Sequence, residues 1–387
     1  MEITTHSLDV MDQILGARPG DALHQLRHAR DKVVHATQAF HELAFHAAGL
    51  TSKQRQDRFL VAALLAQATG PQALSEMYRS QLIELQPSQD HIDVLEGRQS
   101  SSAALNVLAD FTRALAIHPS TANRDALLGL VAAGWSVPDI VSLAQVIGYV
   151  SYQTRSIIGL QALRDAADIA SSAVASEPVE AETFVHPAHL PPPGEIFDIK
   201  GFTNASLDWE SWLPVQDAAA LPPEQDRILA TSHPKAKESD YYMLLIQAPE
   251  LLEQRSLVFN ALMYAPGGAS RAERELASTV VSRVNGCVYC ASVHAQRFEQ
   301  LAKRNDVIVQ VFDDPFTAGT NARERAIVQM AIALTQSPAS FGSQHIQPLL
   351  SNGVTPDQVR DLIGAAAIFA WANRLMLNLG KEVRPSP

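Results

Sequence analysis

Asn285-Gly286-Cys287-Val288-Tyr289-Cys290-Ala291-Ser292-Val293-His294 contains both cysteines of a 387-residue chain. Asn285-Gly286 is a turn signal that closes one helical pattern, and apolar periodicity resumes at once, so Cys287 is expected to open a new helix. At ~100° per residue, Cys287, Cys290 and His294 fall at about 0°, 300° and 340°, on one face roughly 60° wide. A thiol at a helix start feels unpaired backbone N–H groups, and an imidazole one turn further on takes up its proton. The thiolate is therefore expected to be accessible near neutral pH. Cys-x-x-Cys spacing lets the second sulfur trap an oxidised first one as a disulfide, so the stretch describes a redox dithiol.

Immediately upstream, Ser270-Arg-Ala-Glu273 has the form of a capping box and opens a helix with Leu276, Val280, Val281 and Val284 on its apolar side. Glu275 lies on that helix. The Asn285-Gly286 turn folds it back over the start of the cysteine helix, where a carboxylate orients His294 and receives its proton. The blander role for Glu275 is a first-turn glutamate favoured by the helix dipole. A rival for the whole constellation is zinc on Cys287, Cys290, His294 and Glu275. Three ligands on one helix do not resemble the usual structural zinc knuckle, and no metal is expected there.

Further out, nearly every periodic run is helical. Thr355-Pro356-Asp-Gln358 caps a final helix to about Gly380, and Val307 to Phe312 reads as helix or turn despite its β-branched residues. The first half opens with one long helix from Asp21 to Ala48, whose His24, His28, His35 and His46 share the polar side and read as a solvated or subunit-contact face, with a metal site the lesser alternative because no carboxylate or thiol joins them in the usual spacing. Thr51-Ser-Lys-Gln54 starts the next helix, and Ser136-Val-Pro138 a longer one. From about Ala170 to Thr231, repeated prolines preclude a regular helix, and Phe197, Phe202, Trp209 and Trp212 are expected to dock on a domain.

The two halves carry similar punctuation. Gly134-Trp-Ser-Val-Pro138-Asp139 with Tyr152-Gln-Thr-Arg155 echoes Gly353-Val-Thr-Pro356-Asp357 with Trp371-Ala-Asn-Arg374. Arg58 through Pro71 can be laid on Arg274 through Cys287. On that register Phe59, Pro71, Leu74 and Tyr78 stand where Glu275, Cys287, Cys290 and His294 stand, so the first copy keeps a frame without the chemistry. The alternative is coincidence among Ala- and Leu-rich helices.

With 30 basic against 41 acidic side chains, net −11, and no basic tract, nucleic acid is not an expected partner. No apolar run reaches the ~20 residues of a membrane span, and the start lacks a secretory pattern, so a soluble cytoplasmic protein is expected. No glycine-rich dinucleotide loop follows a strand, and no cofactor is implied.

Glu275, then Cys287-x-x-Cys290-x-x-x-His294, within Ser282-Arg-Val-Asn-Gly-Cys-Val-Tyr-Cys-Ala-Ser-Val-His294, resembles the active-site signature of the alkylhydroperoxidase D and carboxymuconolactone decarboxylase family. The wording is closest to its peroxidase-related branch, and the two-copy length is similar to larger, YciW-like members. The resemblance implies an all-α fold of two tandem AhpD-like domains: residues 1–170, degenerate; a linker, 171–231; and 232–387, with the CxxCxxxH site. It implies a thiol-dependent hydroperoxidase that reduces a small hydroperoxide at the expense of an external thiol or dithiol, in a homo-oligomer, trimer or hexamer. It assigns Cys290 as attacking thiolate, Cys287 as resolving thiol, and His294 with Glu275 as proton relay. Geometry alone leaves the cysteine roles open, because His294 lies one turn from Cys290 while the helix dipole favours Cys287. Tyr289 stands where the best-known peroxidase members have a second histidine, and an ordinary phenol is no base near neutral pH. Disulfide exchange, or a metal-binding or non-redox scaffold role, are the alternatives.

Overall fold

The computed structural model describes residues 9–121, 123–167 and 194–384. The first half contains α1 (Val10–Leu15), α2 (Ala22–His28), α3 (Asp31–Phe45), α4 (Ser52–Thr69), α5 (Gln72–Glu84), α6 (Gln89–Leu95), α7 (Ala103–Ile117), α8 (Arg124–Ala132) and α9 (Val137–Ala166). Short strands β1 (Asp198–Ile199), β2 (Phe202–Thr203) and β3 (Asp208–Ser211) lead to α10 (Pro223–Ser232) and α11 (Asp240–Leu245). The second half continues with α12 (Pro249–Met263), α13 (Arg271–Asn285), α14 (Val288–Ala302), α15 (Asp306–Asp313), α16 (Ala322–Gln336), α17 (Ser343–Ser351), α18 (Pro356–Asn378) and β4 (Gly380–Val383). The expected all-α class holds, with only two-stranded sheets beside the helices among the described residues. Among the described residues no helix is long and apolar enough to cross a membrane.

Helix starts follow local chemistry. Thr51, Ser270 and Thr355 each accept from the third backbone N–H of their helix, and Gln54, Glu273 and Gln358 close the reciprocal bond. From α3 to α9 and again from α12 to α18 the same order of helices recurs, including a 3-10 turn before α8 and before α17. The caps Thr51, Ser102, Asn123 and Ser136 recur at one constant offset as Ser270, Asn321, Gly342 and Thr355.

At the centre, α9 and α18 run antiparallel. Gly148 faces the Trp371 indole and Gly159 faces Ile363, each so closely that a Cβ would overlap the neighbour. Trp371 is fully buried against Phe40, Tyr149 and Tyr152, and its indole N–H donates to Gln145. The contacts across this seam are reciprocal: Arg155 of α9 donates to the Thr335 carbonyl at the end of α16, and Arg374 of α18 donates to the Leu115 and Ala116 carbonyls at the end of α7. One continuous hydrophobic core therefore runs through both halves.

Several elements differ from the sequence reading. The single helix expected from Asp21 to Ala48 is two, α2 and α3, broken at Ala29-Arg30. Arg30 is drawn out by distant partners, bonding Asp361 and the Pro266 and Gly267 carbonyls. Residues 171–193 of the expected linker lie outside the described residues. The rest of it, 194–231, carries strands and the start of α10, whose Pro222-Pro223 suits a helix start because neither position needs its N–H. Its aromatics do dock: Phe197 and Phe202 pack on Phe312, and Trp209 packs on Tyr241 while donating to the Met376 carbonyl. Residues 307–312 are helical, as expected. The last helix ends at Asn378, and Gly380 begins a strand paired with β3.

Candidate active site

Helix α13 is anchored before it delivers the site. Arg274, fully buried, donates to the Leu262, Met263, Gly267 and Ala269 carbonyls and so binds the α12–α13 loop to its own first turn. At the other end Gly286 takes a left-handed conformation, φ 78°, which a residue with a Cβ adopts at a cost, and its N–H caps the Ser282 and Arg283 carbonyls. The chain then turns into α14 with Cys287 at the N-cap, where the sequence reading put the new helix.

This turn lays α14 against α13 and brings Glu275 to His294. His294 Nδ1 is 2.5 Å from Glu275 Oε2, both groups are buried, and Arg271 lies 4.0 Å from the other carboxylate oxygen. With Nδ1–H donating to Glu275, the ring is held in the tautomer that leaves Nε2 as the proton acceptor. Phe369 of α18 meets the imidazole edge-on, ring centres 4.4 Å apart, and fixes its plane. His294 follows Cys290 by one helical turn, so imidazole and thiol share a face.

Both cysteines are free thiols, 2% exposed at Cys287 and 5% at Cys290. The expectation of a readily formed thiolate fails at Cys287. Burial pushes that thiol well up from its ordinary value; the neighbouring Cys290 thiol adds to the effect, and the Cys290 backbone N–H only partly opposes it. Desolvation of an anion outweighs the dipole of one helix start. Surrounding phenols are also held neutral: burial raises Tyr241, Tyr264 and Tyr289, with the cysteine sulfurs adding at Tyr241 and Tyr289 and Glu275 adding at Tyr264.

A strap from the region between the halves covers α14. Ser292 donates to the Ala205 carbonyl, Gln296 Nε2 reaches the same oxygen at 3.1 Å, and the Gly194 N–H donates to Glu299. Beyond it, Trp209 and Glu382 are opposite one another in the β3–β4 ladder, and the Glu382 charge adds to the upward push on Cys287.

The structure thus brings together Glu275 and His294 on α13 and α14, with Cys287 and Cys290 on the same turn of α14. The four ligands of the zinc reading do not converge. Among the described residues, the His, Cys, Asp and Glu ligand atoms that lie within 4.8 Å of one another as a group of three or more belong to Asp12, His24 and His28. Sequence reasoning missed Phe369, Tyr264 and Arg271. The last was readable as an i,i+4 partner of Glu275; the other two come from separate helices and left no local signal.

Fold and site define an all-helical protein with a buried dithiol beside an imidazole–carboxylate pair. Residues 249–315, a segment that spans Glu275, Cys287, Cys290 and His294, match the Carboxymuconolactone decarboxylase family, in agreement with the resemblance read from the sequence. Among solved structures the chain is similar to an uncharacterised peroxidase-related protein with an alkylhydroperoxidase AhpD core from Ralstonia eutropha JMP134. Identity is 24% over 44% of this chain and 98% of that one, with a TM-score of 0.38. It is also similar to an uncharacterised peroxidase-related protein from Silicibacter sp. TM1040, at 24% identity over 42% of this chain and 86% of that one, TM-score 0.37. No curated protein matches the chain.

Proposed function

We propose that the chain is a thiol-dependent hydroperoxide reductase whose second half carries the reaction. The observation that carries this reading is the buried His294–Glu275 hydrogen bond one helical turn from a cysteine of a Cys-x-x-Cys pair. His294 Nε2 takes the Cys290 proton, and the thiolate attacks the terminal peroxide oxygen. The O–O bond breaks, the alcohol leaves with a proton, and Cys290 becomes a sulfenic acid. Cys287 then attacks that sulfur, water departs, and a Cys287–Cys290 disulfide forms. An external thiol or dithiol restores both thiols. The upward push on Cys287 suits the resolving role, since a thiol that stays protonated does not compete for peroxide. A working dithiol without a structural disulfide framework suits a reducing compartment such as the cytoplasm.

In this reading residues 1–170 form a degenerate copy that packs against the working one. Each chain is then a built-in pair, and three chains close a ring of six units as a homotrimer. Mass by light scattering tests this, and a monomer at micromolar concentration rules it out.

The redox test uses Cys287→Ser and Cys290→Ser. With Cys287→Ser, peroxide is expected to convert Cys290 to a sulfenic acid that a dimedone-type probe traps, read by mass spectrometry. Faster labelling of Cys287 in the Cys290→Ser protein would exchange the roles. No labelling in either would replace peroxide reduction by disulfide exchange or a non-redox role.

A further inference from the structure

We propose that Asp12, His24 and His28 form a binding site for a divalent transition-metal ion of the zinc class, separate from the dithiol. Helix α2 places the two histidines four residues apart, and their rings stack with centres 3.8 Å apart and planes 14° apart. Both therefore present Nε2 on the same side, toward Asp12 of α1. Its Oδ2 is 2.7 Å from His28 Nε2 and 3.8 Å from His24 Nε2. In a tetrahedral shell with metal–nitrogen distances of about 2.0–2.1 Å, neighbouring ligand atoms sit roughly 3.3 Å apart. The two observed separations bracket that value, so an ion fits with small side-chain rotations.

The carboxylate is already aimed. Asp12 is fully buried, and Arg27 Nη1 lies 2.7 Å from its Oδ1, which leaves Oδ2 facing the imidazoles. Arg27 also pairs with Asp9 at 2.6 Å. Two carboxylates against one guanidinium leave the cluster one net negative charge when both imidazoles are neutral, so a dication is electrostatically favoured. Such outer-layer pairing is what orients metal-bound carboxylates. Two imidazoles and one carboxylate select zinc, cobalt or nickel over calcium or magnesium, which prefer all-oxygen shells, and over copper(I), which prefers thiolates. The histidines are 17% and 33% exposed, which gives an entry path and leaves a fourth position for water.

The sequence signal was the histidine face of the first helix. The break at Ala29-Arg30 separates His35 and His46 from the pair, and α1 supplies the carboxylate that periodicity on one helix cannot reveal. A bound ion would cross-link α1 to α2, which is itself held to α18 by Arg360 donating to the Leu26 carbonyl. The role inferred is a metal staple of the N-terminal segment onto the seam between the halves.

The test uses the full chain carrying Cys287→Ser and Cys290→Ser, so that no thiol competes for metal. Zinc titration by calorimetry at pH 7.5 is expected to give one saturable site, and cobalt a visible absorption band of low-symmetry coordination. Adding His24→Ala or His28→Asn is expected to weaken zinc binding at least about tenfold, no less than loss of an outer-layer partner costs. Circular dichroism on each variant confirms that the helices persist. Absence of a saturable site up to millimolar zinc overturns the proposal in favour of a plain imidazolium–carboxylate pair, and so does binding that neither histidine variant weakens.

Discussion

Helices α4 and α5 in the first half and α13 and α14 in the second have the same frame and different contents. Arg58 donates to the Ala44 carbonyl near the end of α3, as Arg274 does to Leu262 near the end of α12, and laying one arginine on the other sets α4 and α5 on α13 and α14 in a register three residues off the offset that relates the helix caps. On it Phe59 occupies the place of Glu275 and Tyr78 that of His294. In the second half these positions make a buried ion-pairing couple; in the first they join Phe45 in an aromatic cluster, with the Tyr78 hydroxyl donating to Gln153. Both arrangements fill the space, and only one sets an imidazole against a carboxylate. A frame of caps and buried arginines is thus compatible with either filling, and the two halves differ at the few positions inside it.

The sharpest way to break this comparison is to give the second half the first half's neutrality. Glu275→Gln and His294→Asn keep the shape but remove the proton acceptor or the charge that orients it. Each is expected to lower peroxide-dependent thiol oxidation by about 10²–10⁴-fold, the usual range for a general base. The matching change in the first half, Tyr78→Phe, should leave the rate within a factor of two. A steady-state assay on the three variants decides. Equal losses in both halves would mean that the first copy takes part in the reaction.

How much of this was readable beforehand follows from the range of each interaction. The caps at Thr51, Ser270 and Thr355, the Gly286 turn and the face shared by Cys287, Cys290 and His294 depend on residues a few positions apart, and all stood in the sequence. The contact of Glu275 with His294 also followed, because one tight turn joins their helices. The break at Arg30 was hidden because its partner, Asp361, lies in the other half. The strand at 208–211 was hidden because it pairs with 380–383. Burial of Cys287 was hidden too: helix-dipole reasoning sees the backbone of one helix but not the packing of the rest of the fold that desolvates the thiol.

The seam offers a second contrast, between two arginines in equivalent places. Arg374 makes three hydrogen bonds to carbonyls, at 2.8–2.9 Å, with Nε and both terminal nitrogens. Arg155 makes two, at 2.9 and 3.2 Å, and its Nε has no partner; burial lowers the pKa of both guanidiniums, so the contrast rests on the hydrogen bonds. A buried guanidinium with unmet hydrogen-bonding capacity contributes less, because its desolvation is offset less fully. Arg374→Met is therefore expected to destabilise by about 3 kcal/mol and Arg155→Met by about 1 kcal/mol, from the usual worth of charged hydrogen bonds. Urea unfolding measures both, and equal costs would show that the two sides of the seam are energetically interchangeable.

The smallest expected effect concerns a titratable group on the side without the dithiol. His41 precedes Ala44 by three residues as Phe259 precedes Leu262, so an imidazole in the first half stands where a phenyl ring stands in the second. It is buried against Phe45, Tyr78 and Tyr149, and desolvation, with the nearby His46 adding, lowers its pKa from 6.5 to about 3. Above pH 6.5 neither folded nor unfolded chain is protonated there, and His41 contributes no pH dependence. Between pH 6.5 and 3 the unfolded chain binds a proton that the folded chain refuses, so stability falls as the solution is acidified, by about 1.4 kcal/mol per pH unit. His41→Phe removes that proton from both states. Any packing difference between the rings is independent of pH and cancels when each protein is compared with itself. Between pH 7.5 and 5.0 the wild-type chain is therefore expected to lose about 2 kcal/mol more than the variant, the value for 1.5 units below an ordinary imidazole pKa. Urea midpoints at the two pH values give the difference, and parallel pH profiles would show that His41 takes up its proton in the folded chain as readily as in the unfolded one.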